Sequence, residues 1–139
     1  MGYINRVRIA LAVTSSGGAS QTFYSSMIVN GGLVEAVQYT KAAASNISTN
    51  ANILLTAANS GLTIWDGTAT DTVTRYPRGA AHNTTGGALG YTSAATPPAI
   101  PVRIPIGQEP FKVVVTSGGT GSGGAGGVKG TLDIYLSGV

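Results

Sequence analysis

No segment of this chain sustains the 3.6-residue apolar repeat of a helix beyond a turn or two; where its apolar residues keep a rhythm, the period is two. Residues 3–14 set the pattern. Val7, Ile9, Leu11 and Val13 fall on one face and Arg6, Arg8, Ala10 and Ala12 on the other, the alternation of a half-buried strand. Turn residues then punctuate the chain. Ser15-Ser16-Gly17-Gly18-Ala19-Ser20 predicts a turn, because glycine admits positive φ and serine bonds its own backbone. A second strand is expected over residues 21–29, ended by Asn30-Gly31-Gly32. Residues 33–40 read as a third strand with apolar side chains at both parities, so both of its faces are expected to be partly covered. Residues 41–50 predict a loop or crossover, since Ser, Asn and Thr compete for the helical backbone.

Ile53, Leu54 and Leu55 mark a fourth strand, and Asn59-Ser60-Gly61 turns the chain. Leu62 to Trp65 begins another strand, which Asp66-Gly67 is expected to break. Residues 73–78 form a short extended piece, and residues 79–91 read as an ordered loop. Pro97, Pro98, Pro101 and Pro105 confine residues 100–106 to a sheet edge, because proline cannot donate to a ladder. Residues 111–116 are a β-branched strand. Residues 117–127 hold seven glycines and are expected to be flexible in the free chain. Leu132, Ile134 and Leu136 share one face of the closing strand. About eight short strands with turn signals between them predict an all-β fold: a single domain over residues 1–139, built as a jelly-roll-like antiparallel β-sandwich.

Composition bears on what such a sandwich could do. Only 9% of the residues are charged, against about 25% in ordinary soluble domains. No run of about 20 apolar residues is present to span a membrane. The economical reading is a surface largely covered by other protein chains, hence a structural or assembly protein rather than an enzyme. The eight Lys and Arg residues exceed the five Asp and Glu. They are scattered, so no phosphate-tracking stripe is expected and no direct contact with nucleic acid. The absence of cysteine excludes disulfides, thiolate metal sites and thiol nucleophiles together. The first residues lack a basic stretch followed by an apolar one, so no secretory leader is expected.

No catalytic residue, metal site or cofactor is predicted. His82 is the only histidine and has no carboxylate near it in sequence. Asp66 and Asp71 flank a turn and could serve hydrolysis or calcium, but they lack the further oxygens either role needs. A carbohydrate-binding sandwich would use Trp65 or Tyr91 as a stacking platform. The best candidate for a protein contact is Arg75-Tyr76-Pro77-Arg78, because Arg and Tyr are enriched at interface hot spots. Packing of Tyr76 within the fold, with solvated arginines, is the competing reading. Arg6 and Arg8 share a strand face and suit an acidic partner, or plain solvent.

Several segments together resemble a known group. They are residues 33–41 (LVEAVQYTK), Leu62-Thr63-Ile64-Trp65, Arg75-Tyr76-Pro77-Arg78 followed by residues 84–89 (TTGGAL), and Ile104-Pro105-Ile106 before the valine-rich strand. The chain is similar in these to small tailed-phage structural proteins, in particular the capsid cement, or decoration, proteins of short-tailed phages such as the one infecting Bordetella. The resemblance implies a jelly roll on the outer surface of an icosahedral virion capsid whose shell has the HK97-type fold. It also implies self-association as a homodimer or homotrimer, and clamping of neighbouring major capsid protein subunits. A head-fibre base or tail subunit is the neighbouring alternative. The resemblance carries no catalytic motif and no interface residue onto this sequence.

Overall fold

The computed structural model describes residues 4–13, 20–28, 30–42, 47, 51–68, 72–80, 84–85, 101–116 and 129–138. Eleven strands follow in order: β1 (Ile4–Leu11), β2 (Gln21–Tyr24), β3 (Gly32–Lys41), β4 (Asn52–Ala57), β5 (Thr63–Thr68), β6 (Val73–Arg75), β7 (Gly79–Ala80), β8 (Pro101–Val102), β9 (Ile104–Ile106), β10 (Phe111–Thr116) and β11 (Gly130–Ser137). No helix occurs among the described residues. One sheet runs β1-β11-β3-β6, with β9 beside β6 on the same edge of β3; the other runs β2-β10-β4-β5; β7 and β8 pair separately. Every pairing is antiparallel.

The pairings are nested. β1 pairs with β11, β2 with β10, β3 with β6 and β4 with β5. This is the ladder of one long antiparallel hairpin with its tip at the β4–β5 turn, wrapped until β3 meets β11 and β4 meets β10. The strand order is compatible with a jelly roll. It also sorts the molecule into two halves. β1, β3, β5 and β10 begin in the half that holds Ile4, where β2, β4 and β11 end. The connections β1–β2, β3–β4, β5–β6 and β10–β11 leave from the opposite half, around Gly130.

The core follows the alternation read from the sequence. Ile9, Leu11 and Val13, with Val34, Val37 and Tyr39, and with Leu132, Ile134 and Leu136, form the inner face of the first sheet. Ile53, Leu55 and Ala57 of β4 and Phe111, Val113 and Val115 of β10 form the facing layer. Ile28, Ile104 and Ile106 close the Ile4 half, and Ile47 is buried in the same core. Burial of this one contiguous apolar cluster is the main stabilising term, since each fully buried large aliphatic side chain contributes roughly 1.5–3 kcal/mol.

Three expectations need correction. β2 stops at Tyr24, not at residue 29. Ser25 ends it: its Oγ accepts from the Phe111 amide at 2.8 Å, so a side chain takes over from the backbone ladder. β5 does not break at Asp66-Gly67 but runs to Thr68. Gly67 is there because the Trp65 indole lies across it; a Cβ at 67 would sit 2.7 Å from Trp65 Cζ2. The glycine marks a close approach within the strand, not its end. Residues 79 and 80, expected in a loop, form β7 against β8. The residues 43–46, 48–50, 81–83 and 86–100, together with the glycine-rich segment at 117–127, lie outside the described residues, as do Asp71, His82 and Tyr91.

Candidate protein-contact surface

The five residues singled out as contacts divide into two groups. Arg8 lies directly across from Asp133 in the β1–β11 register. Its Nε and Nη2 donate to the two carboxylate oxygens at 2.8 and 3.2 Å. Asp133 is buried, so this guanidinium already has its carboxylate within the chain. Arg6, two residues earlier, is exposed and has no ion pair among the described residues.

Arg78 is built into the fold. In the β3–β11 ladder Tyr135 pairs with Ala36 and Leu136 with Val34, which leaves Glu35 as the extra residue of a β-bulge. The bulge explains why Val34 and Val37, three apart, both face the core, and why the sequence of β3 shows apolar residues at both parities. On its other edge β3 pairs with β9 up to Val34 and with β6 from Val37. Arg78 fills that gap. Its Nη1 lies 3.3 Å from the Val34 carbonyl, 3.0 Å from that of Glu35 and 2.8 Å from that of Pro77, its two hydrogens shared among the three acceptors. Its Nη2 stands 3.6 Å from Glu35 Oε2, while Arg103 Nε reaches Oε1 at 3.2 Å. Arg75 and Tyr76, by contrast, project outward; Tyr76 is 69% exposed. The four-residue motif therefore splits: its first half faces solvent and Arg78 ties the bulge.

A third acidic side chain is consumed internally. Glu109 is buried and braces the β4–β5 turn, accepting from the amides of Asn59 at 2.6 Å and Ser60 at 2.8 Å and from Ser60 Oγ at 2.8 Å. The Ser60 amide, then the Ser60 hydroxyl and the Asn59 amide, hold its carboxyl below the ordinary value of 4.5, against the opposing effect of desolvation. A depressed folded-state pKa contributes stability that is present above pH 4.5 and lost as pH falls through the lower folded value. Glu109→Gln is expected to lower the melting temperature by several degrees at pH 7 and to flatten the acid limb of a pH–stability curve below pH 4.5. An unchanged acid limb would count against this brace.

The half of the sandwich that holds Ile4 gathers all the exposed large apolar residues among those described: Ile4, Tyr24, Met27, Leu62, Tyr76 and Val102. Ile4 begins β1, Tyr24 ends β2, Met27 and Leu62 sit in the turns after β2 and β4, and Tyr76 and Val102 flank the β6–β9 edge. A hollow of about 240 Å³ opens here, with buried Ile28 and Leu136 and half-buried Val7 beneath, and Arg6, Met27 and Asn30 around it. Sequence reading missed most of this surface, although one signal was present. The inward residues of β1 are odd-numbered, so Ile4 had to face outward. Trp65 packs half-buried against the core and over Gly67, which does not present it as a stacking platform. Asp66 is exposed on β5 opposite Leu54.

No helix among the described residues is long and apolar enough to cross a membrane. Comparison with known proteins finds no family model, no curated protein and no solved structure that matches this chain.

Proposed function

We propose that this protein is a non-enzymatic structural component of a phage virion, a cement or decoration protein seated on the outside of an icosahedral capsid. There it stabilises contacts between major capsid protein subunits of the HK97-type fold and associates with itself as a dimer or trimer. The observation that carries the reading is the gathering of six exposed large apolar side chains in one half of a charge-poor sandwich. Exposed apolar residues scattered singly are ordinary, whereas a concentration of them marks an interaction site. The outer sheet faces fit the same role. They carry Ala10, Ala36, Thr40, Thr22, Leu54 and Val114 beside Arg6, Lys112, Asp66 and the mutually paired Arg8 and Asp133, so a partner covering them meets only a few unpaired charges. Many weak contacts repeated across a symmetric shell then sum to firm attachment. The resemblance of short segments to tailed-phage cement proteins points the same way.

Cryo-electron microscopy of native virions tests the proposal. The expected result is density for this sandwich at symmetric positions on the outer shell. Density in the tail would reassign it to a tail subunit, and absence from the particle would sink the virion reading.

A further inference from the structure

We infer that the Ile4 half of the sandwich is the docking surface, and that it fits a protein surface presenting apolar side chains surrounded by carboxylates. This inference rests on the cement reading, in which that surface is the exterior of the shell. Two independent features coincide in this half. One is the set of exposed apolar side chains, including Met27 at 57% and Ile4 at 69% exposure, beside a hollow with room for one large aliphatic or aromatic side chain. The other is charge. Among the described residues, Arg6, Arg75, Arg78, Arg103 and Lys112 lie in this half against Glu35 and Glu109.

Neither carboxylate is available to a partner. Glu35 is held by Arg78 and Arg103, and Glu109 by Asn59 and Ser60. Arg6, Arg75 and Lys112 have no carboxylate partner among the described residues. A second copy of this chain presenting the same half would bring cation against cation with no free acid to relieve them, which disfavours self-pairing here. Nucleic acid is a poor fit as well, because three separated cations with apolar side chains between them do not track a phosphate backbone. An acidic, apolar protein surface satisfies both features: its apolar side chains cover Met27, Leu62 and the hollow, and its carboxylates meet the free cations. Arg6, at the rim of the hollow, belongs to both.

The test uses the full chain and heads of the encoding phage assembled without it, with binding followed by sedimentation of the heads. Two double variants are compared with wild type, Met27→Asp/Leu62→Asp and Arg6→Glu/Arg75→Glu, with Lys41→Glu in the other half as control. All five side chains lie outside the core, so the variants should melt with the wild type. Each double variant is expected to lose at least tenfold in affinity, the charge variant also losing most of the salt dependence. The control is expected to bind as wild type does. Wild-type binding with unchanged double variants would overturn this inference and leave the cement reading standing. Failure of the wild type to bind heads would overturn both. Two further arms name the competing occupants. Capture by phosphatidylserine vesicles that the same variants abolish would assign the surface to a membrane. An oligomer that Met27→Asp/Leu62→Asp dissolves, seen by sedimentation equilibrium, would assign it to a second copy. Either result overturns the inference.

Discussion

Arg78→Ala is expected to lower the unfolding free energy by about 2 kcal/mol, while Arg75→Ala, three residues away, leaves it within about 0.5 kcal/mol. The sequence offers no reason to separate them. The structure does, because Arg78 occupies the stretch of the β3 edge that β9 and β6 leave open. Removing its guanidinium strips donors from the carbonyls of Val34 and Glu35, the first of them part-buried, and leaves Glu35 to Arg103 alone. The exposed Glu35 carbonyl regains water, so the loss falls on the part-buried Val34 carbonyl, where an unmet acceptor costs more than the hydrogen bond itself was worth. The exposed ion pair adds little to this, since surface pairs contribute at most about 1 kcal/mol. Arg78→Lys is expected to recover part of the loss, as an ammonium keeps the charge near Glu35 but cannot reproduce the planar fork. Urea denaturation of the three variants decides the matter; equal midpoints for the two alanine variants would remove Arg78 from the bulge. Binding to particles should show the reverse order, with Arg75→Ala the more damaging per unit of stability lost.

The second large effect concerns Tyr39. Its side chain is fully buried in the first sheet, and its ring lies over Gly130, where a Cβ would stand 2.8 Å from Tyr39 Cε2. Gly130→Ala is expected to cost about 2 kcal/mol, because the ring is packed on every side and cannot yield without displacing its neighbours. In a Tyr39→Val background the same alanine should cost little, giving a coupling of 1 kcal/mol or more, a rough figure typical of residues in contact. The hydroxyl of Tyr39 is buried and has no hydrogen-bond partner among the described residues. Tyr39→Phe is therefore expected to raise stability by about 1 kcal/mol. Burial also pushes the phenol above its ordinary value of 10.0. The folded state then keeps its proton above pH 10 while the unfolded chain releases it, so stability falls as pH rises through that range. The Phe variant should lack that component. A Tyr39→Phe protein less stable than wild type at pH 7 would mean that the hydroxyl is satisfied after all.

What the sequence made legible and what it did not follow one physical line. Strict alternation survives in β1, so Ile9, Leu11 and Val13 were readable as core, and with them the outward parity of Ile4. β10 was readable from its β-branched run, Val113-Val114-Val115, rather than from alternation. Wherever one extra residue enters a strand the parity flips. Glu35 does this in β3, and the register shift in the β4–β5 ladder places the extra residue Ile64 beside Trp65. Local composition also misled where a glycine served a neighbouring ring, as at Gly67 under Trp65. The contacts that decide which charges are free were beyond reach. Arg8 and Asp133 are 125 residues apart, and Ser60 and Glu109 are 49 apart. Only the three-dimensional pairing reveals that Arg8 and Arg78 are already engaged while Arg6 and Arg75 are not.

The nested pairing also has a consequence for synthesis. Among the described residues β1 has no neighbour in its own sheet except β11, and β3 has β11 along its whole inner edge. Until residues 130–137 clear the ribosome, the first sheet lacks its central strand, and the earlier strands have no partner to complete it. Folding is then dominated by pairings distant along the chain, which are slow to form. The first sheet is completed last, when β11 bridges β1 and β3.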